Sequence, residues 1–198
     1  ELKEGPPFDV DGVKVTAQYL NHPVTVLGYR FEYEGKVIVT EFDTEPYRNM
    51  FKKGEDIEDD FDDFLFGDDL PGDVSSEEKK EEKRRSADED FAEGEKAAED
   101  MNRRVIEFAR DADLLVFDAQ YTNEEYQGKI GWGHGTYDDA IDTGIKANVK
   151  RVAFFHHDPL RTDDDIDDIE KYINDKLRSL GENNIHIFAA REGMEIDV

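Results

Sequence analysis

Two short runs of the sequence, Leu114–Phe117 and Val152–Phe155, are apolar at every position, and each gives way to polar residues: Asp118 after the first, His156-His157-Asp158 after the second. An unbroken apolar run of this length reads as a buried strand, because a half-exposed strand would alternate with a period of two. Helical periodicity follows each run. Ala140, Ile141 and Ile145 share a face after the first; Ile166, Ile169, Ile173, Leu177 and Leu180 share one after the second. The acidic start at Asp163–Asp165 and the glycine at 181 mark the two ends of that last helix. Upstream, Val13, Val15 and Ala17 read as one strand, and Leu27–Tyr33 and Val37–Phe42 as a hairpin turning at Gly35. Met101, Val105, Phe108 and Ala109 predict a further helix, and Ile185–Ala189 and Met194–Val198 two closing strands. Strands followed by strand–helix repeats define an α/β fold of layered sheet and helix.

Charge narrows the function. The 198 residues hold 51 Asp and Glu against 25 Lys and Arg, a formal charge of -26. Such a field repels phosphate backbones, which disfavours nucleic acid as a partner at low salt. Without cysteine there is no disulfide framework and no thiolate metal site. The apolar runs are too short to span a bilayer, and the opening residues do not read as a signal peptide, so a cytoplasmic protein with no membrane partner is expected. From Lys52 to Asp100 the chain carries 21 acidic and 8 basic residues, which reads as a solvated loop or a partly disordered, charge-rich insertion in one domain covering 1–198. Phe61, Phe64, Leu65 and Phe66 stand out within it as an aromatic anchor for the insertion or for a partner.

Polar clusters sit at the ends of the apolar strands. Asn21-His22-Pro23 precedes Gly28-Tyr29-Arg30-Phe31; Asp43-Thr44-Glu45 follows Val37–Phe42; His156-His157-Asp158-Pro159 follows Val152–Phe155. Imidazoles and a carboxylate converging from separate strand ends suit a borderline divalent ion such as Zn²⁺. Taken singly, each also reads as a turn residue, a cap or a strand-end histidine. A fourth cluster joins Asp118-Ala119-Gln120-Tyr121-Thr122 to Gly131-Trp132-Gly133-His134-Gly135-Thr136.

In this order the four clusters resemble the metallo-β-lactamase-fold hydrolases, most closely the phosphodiesterase-like branch related to tRNA-processing ribonuclease Z. The resemblance implies part of an αββα sandwich of mixed sheets flanked by helices. It also implies phosphodiester hydrolysis by a hydroxide held between two divalent ions, Zn foremost, with Mn or Fe as alternatives. On the matching positions His22, Asp43 and His156 become metal ligands and His134 the catalytic residue near the scissile phosphate. Thr44, His157 and Asp158 would support the site or contact substrate, Asp158 by orienting an imidazole. The family's His-x-His-x-Asp-His motif does not occur among the five histidines, at 22, 134, 156, 157 and 186. In the family it lies upstream of the stretch that matches Glu1, so the chain is expected to be the C-terminal two-thirds of a hydrolase, lacking part of the metal site. Gly135 stands where the family usually has Ser, which is expected to loosen the loop that carries His134.

The expected substrate is a small phosphodiester. The alternative is a non-catalytic regulatory or interaction module that keeps the fold, and a weaker reading places the function in the Phe-rich insertion. A homo-oligomer is left open. Outside Lys52–Asp100 the remaining 30 acidic and 17 basic residues still give -13, so a halophilic character is expected of the body itself. Carboxylates crowded at Asp163, Asp164, Asp165, Asp167 and Asp168 repel across a Debye length of about 10 Å at 0.1 M salt but only about 3 Å at 1 M. The melting temperature should therefore rise by several degrees between about 0.1 M and about 3 M KCl in a calorimetric scan; a flat or falling response rules the salt dependence out.

Overall fold

Asp11-Gly12 and Glu34-Gly35 each place two successive residues in left-handed backbone, with φ of 51° and 86° in the first pair and 47° and 78° in the second. Both central residues of a type I′ turn need positive φ, and such turns match the twist of paired strands. These two turns fold the start of the chain into hairpins. The computed structural model describes residues 3–51, 53 and 74–198. The aromatic cluster at Phe61, Phe64, Leu65 and Phe66 lies outside the described residues.

The strands are β1 (Phe8–Val10), β2 (Val13–Tyr19), β3 (Leu27–Tyr33), β4 (Lys36–Glu41), β5 (Leu114–Asp118), β6 (Arg151–Phe155) and β7 (His186–Ala189). They form one seven-stranded sheet in sequence order. Pairing is antiparallel from β1 to β4 and parallel from β4 to β7. Parallel neighbours need crossovers, and helices occupy them: α1 (Val74–Phe108), α2 (Asn123–Tyr126) and α3 (Tyr137–Lys146), then α4 (Asp163–Leu180). The result is a mixed sheet with flanking helices, an α/β fold.

Register decides which side chains share a face. Val39 lies opposite Leu115, Leu115 opposite Val152, and Val152 opposite Ile187. All four are buried in one cluster with Ile141 of α3 and Ile166, Ile169, Ile173 and Leu177 of α4. Fully burying each such aliphatic side chain stabilises the fold by roughly 1.5–3 kcal/mol. Packing is close where α3 meets the sheet: a Cβ at Gly144 would come within 2.8 Å of Ile185 and Val152. Thr122, Thr136 and Thr162 each begin a helix with a capping box, their hydroxyls accepting from the backbone of Glu125, Asp139 and Asp165. Gly181 ends α4 in the left-handed region, as the sequence predicts.

The chain divides into two compact units, Glu1–Pro46 with Arg103–Val198, and Tyr47–Asn102. Within the second, Asn102 exchanges hydrogen bonds with both backbone groups of Tyr47, and Asn49 donates to the Phe91 carbonyl. Gly94 allows the Asn49–Phe51 segment to lie directly on the helix, since a Cβ there would collide with both side chains.

Two sequence expectations are corrected. From Val74 onward the charge-rich stretch is helix rather than solvated loop: Glu, Lys, Arg and Ala are strong helix formers, and opposite charges four apart, as in Glu81 and Arg85, reinforce them. Met194–Val198 forms no strand. It is tied instead through Arg151, whose guanidinium donates to the Asp197 carbonyl at 2.7 Å.

Asp113 joins three segments near the start of β5. Its buried carboxylate accepts from the Val37 amide at 2.9 Å and the Lys150 ammonium at 2.6 Å. The Lys150 hydrogen bond holds its pKa below the ordinary range, with the Val37 amide adding to the effect. A depressed folded pKa means stability that is present above the unfolded value of about 3.9 and lost as pH falls through the folded value. Asp113→Ala should cost about 1–3 kcal/mol at neutral pH in urea unfolding, and the gap between variant and parent should shrink below about pH 4.

Candidate metal and hydrolytic site

The parallel strands β4, β5 and β6 end together. Glu41 is level with Phe117, and Asp118 with Phe155, so three chain segments leave the sheet along one edge. The carboxyl edge of parallel strands is where α/β sheets present side chains to ligands. After β4 the chain turns at Asp43, with φ of 49°, and after β6 at His156, with φ of 66°. Left-handed backbone at residues other than glycine is strained, and such strain persists where the surroundings over-determine it. These turns aim Asp43 and His156 at Asp118, the last residue of β5.

His134 completes the group from the loop before α3. Asp43, Asp118, His134 and His156 offer ligand atoms that all lie within 4.8 Å of one another. The His134 ring donates from Nδ1 to Asp118 Oδ2 at 2.7 Å, and the His134 and His156 rings stack with centroids 4.5 Å apart. His156 Nε2 lies 3.7 Å from Asp43 Oδ1, and its Nδ1 3.7 Å from Asp118 Oδ2. Burial pushes the Asp118 carboxyl up to about 7; nearby His156 and the Thr44 amide work against that rise, and Asp43 adds to it. Burial also lowers the pKa of His134, opposed by Asp43 and Glu45. Glu41, which ends β4, is fully buried with neither oxygen hydrogen-bonded, and burial raises it to about 8, so it is held as the neutral acid at pH 7.

Glu45 fixes the His134 loop. Its buried carboxylate accepts from the Tyr126 hydroxyl at 2.9 Å and from the amides of Gly131 at 3.0 Å and Gly133 at 3.1 Å. Gly133, at φ of 90°, packs against His22 and Pro23 where any Cβ would collide. The Gly135 carbonyl accepts from the amides of Gln120 and Tyr121. The loosening expected of Gly135 is therefore offset, because backbone bonds and the Glu45 carboxylate hold the loop on both sides of His134.

The other residues singled out in the sequence fall as follows. The His22 ring packs edge-on to His134, with centroids 5.5 Å apart, but lies outside the four-residue group, and its Nδ1 is 3.3 Å from the Val24 amide. Thr44 donates its amide to Asp118 at 3.3 Å. His157 turns away, its Nε2 on the Ala190 carbonyl at 3.1 Å and its ring edge-on to Phe154. Asp158 accepts from the Leu160 amide, a loop contact rather than the imidazole partner expected of it. Asp118 and Glu45 appear in the sequence motifs without a site role. Asp118 could have been recognised, since it ends an apolar run just as His156 follows one. The Glu45 contacts are 81 to 88 residues away in sequence and left no local signal.

The four side chains suit a divalent cation. Carboxylate and imidazole donors match borderline metals, and Asp118 Oδ1 and His156 Nδ1 are buried without a hydrogen-bond partner. Over 164 residues, 79% of this chain, the sequence is 27% identical to ribonuclease Z of Bacillus velezensis, covering 49% of that protein. A 61-residue stretch, 31% of this chain, is 43% identical to ribonuclease Z of Sulfurisphaera tokodaii, covering 20% of it. The metallo-β-lactamase fold protein YhfI from Bacillus subtilis superposes on 98% of this chain and 53% of its own, with a TM-score of 0.57 at 13% identity. This is a metallo-β-lactamase-fold protein related to ribonuclease Z. No protein-family model matches it. The alignments span about half or less of the length of these curated relatives. Among the described residues no helix is long and apolar enough to cross a membrane.

The Glu45 clamp is open to test in this metallo-β-lactamase-fold chain. Glu45→Ala strands a buried hydroxyl and two amides, and should lower stability by about 1–3 kcal/mol or more in denaturant unfolding. It should also broaden the His134 ring resonances in NMR spectra, while Glu124→Ala, on the surface of α2, should change neither.

Proposed function

We propose that this protein is a metal-dependent hydrolase of phosphodiesters, with Asp43, Asp118 and His156 as metal-binding residues and His134 acting on the substrate. The observation that carries the reading is the convergence of these four side chains from three strand ends and one clamped loop. A divalent ion bound there would supply charge stabilisation at the phosphoryl oxygens and would lower the pKa of water at the site towards about 7. The rest falls to the chain itself. Asp118, bonded to His134 Nδ1, fixes the ring and leaves Nε2 to hold or move a proton at the phosphate or leaving oxygen. Glu45 keeps that ring from drifting. Thr44 steadies Asp118 through its amide. His22 packs its ring edge-on to that of His134 and supports it from the other side of the loop glycine, Gly133.

Two ions, as the family resemblance implies, require more donors than these converging side chains, and the His-x-His-x-Asp-His motif that supplies them in the family does not occur in this sequence. This chain by itself should therefore hold metal weakly and turn over slowly. Zn, Mn and Fe all suit the donors.

Competition with a chromophoric chelator, alongside an assay on bis(p-nitrophenyl) phosphate, tests the assignment. Asp43→Ala and Asp118→Ala should each lower metal affinity at least tenfold. His134→Ala should retain metal and lower turnover by roughly 10²-fold. If His134→Ala loses metal as the aspartate variants do, His134 is a ligand and the division of roles is wrong. If metal binds but no diester is cleaved under any metal, the non-catalytic module is the better reading.

A further inference from the structure

The starts of α2 and α3 and the middle of α4 line a cavity of about 380 Å³ to which none of the four hydrolytic-site residues contributes. Its apolar lining is Ile169 and Tyr137, both buried, with the ring of Tyr172, a residue 47% exposed. One carboxylate braces the walls. Asp138 of α3 accepts from the Asn123 side chain of α2 at 2.5 Å, and from the Tyr172 hydroxyl at 2.8 Å and the Lys176 ammonium at 2.7 Å, both on α4. Three helices are thereby tied together, and the Tyr172 ring is held by its hydroxyl while much of it stays open to solvent. Asp138 matches the Lys176 charge, so the cavity takes its sign from two further carboxylates. Glu124 and Asp168 line it as well, and neither has a hydrogen bond or ion pair among the described residues. Like charges beside aromatic and aliphatic walls repel each other and contribute nothing to folding; what they complement is a cation that can also use the apolar surface.

We propose that this cavity binds a small organic cation, a guanidinium head on a short aliphatic chain, with the head on the Tyr172 ring and its charge answered by Glu124 and Asp168. The lining decides the class of ligand. A metal ion does not suit it: among the described residues only the group at Asp43, Asp118, His134 and His156 brings three or more candidate ligand atoms within reach of one ion, and the carboxylates of this cavity do not converge in that way. An ammonium is a compact, strongly hydrated charge that gains little from apolar walls. A guanidinium is planar and weakly hydrated, stacks on aromatic faces and presents a fork of N–H donors to carboxylates, while an aliphatic chain can lie against Ile169 and Tyr137. The volume falls at the lower end of the range of roughly 300–1,000 Å³ found for small-molecule sites, which favours a free ligand over a docked protein surface. The proposal goes beyond the hydrolase reading and does not rest on it, because no residue of the cavity is given a part in cleavage.

Calorimetric titration with agmatine tests the proposal. At about 1 M KCl the general attraction of a chain of charge -26 for any cation is screened, so binding that persists belongs to a site. Agmatine should bind once per chain, and butylammonium several-fold more weakly. Tyr172→Ala should weaken agmatine about fivefold, and Tyr172→Phe, which keeps the ring, should restore most of the loss. Glu124→Gln and Asp168→Asn should each weaken it by about twofold to fivefold. Glu192→Gln, which removes an exposed carboxylate outside the cavity, should change nothing. Absence of saturable binding, equal binding of butylammonium, or an equal loss with Glu192→Gln overturns the site. Displacement of agmatine by Mg²⁺ at equal concentration also overturns it, since the carboxylates would then act without the aromatic wall. Tighter binding of the blocked peptide acetyl-Gly-Arg-Gly-amide than of agmatine makes the occupant a partner's arginine side chain and overturns the free ligand. Cleavage of bis(p-nitrophenyl) phosphate without agmatine binding removes this site and keeps the hydrolase; one-site agmatine binding without cleavage of any diester does the reverse.

Discussion

Parallel pairing of β4, β5 and β6 in one register is the constraint on which the rest depends. It brings three strand ends level, and two site residues follow from those ends while a third is itself the last residue of β5. The register is enforced from the other side of the chemistry. Val39, Leu115 and Val152 lie side by side on the face buried against α3 and α4, and a slip of one residue would turn each of them out of the core. Hydrophobic burial thus positions carboxylates and imidazoles that contribute nothing to it.

Precision beyond the strand ends is costly and is spread over several contacts. The left-handed backbone at Asp43 and His156 costs on the order of 1–3 kcal/mol at each. Asp118 is removed from water with one oxygen lacking a partner, so its ionised form is disfavoured in the absence of a cation. Opposing these costs are the Thr44 amide on Asp118, the three donors gathered by Glu45 and the backbone bonds around Gly135. A group of acids and imidazoles that is strained, half-buried around one fully buried carboxylate and incompletely hydrogen-bonded is at odds with a purely structural role. Such conflicts between local preference and global fold are where function is to be sought.

The charge of the molecule acts on the same site from a distance. A field of this sign concentrates divalent cations near the surface and thins out polyanions. It favours occupation of the group at Asp43, Asp118, His134 and His156 by such cations. Aromatic faces and an ammonium stand together at Tyr121, Lys129 and Trp132, the Tyr121 ring 6.5 Å from that of His134, so the surface there differs in character from its acidic surroundings.

Local chemistry determined most of the elements. Unbroken apolar runs marked β5 and β6, the apolar stripe from Ile166 to Leu177 marked α4, and Gly35 and Gly181 marked a turn and a helix end, because burial period and left-handed backbone are properties of neighbouring residues. His22, Asp43, His134 and His156 were recognisable as chemistry-bearing residues through motif order. The tertiary structure decided which of them meet. It set His22 beside the group, turned His157 onto the Ala190 carbonyl and brought in Asp118, since only strand register fixes which strand ends are level. The helix of the charge-rich stretch from Val74 was by contrast a matter of local propensity, which outweighs an acidic composition that reads as solvated loop. Glu45 shows the limit most plainly. A glutamate after an Asp-Thr pair has no local reason to be buried, and its role exists because chain closure brings three donors more than 80 residues away onto one carboxylate.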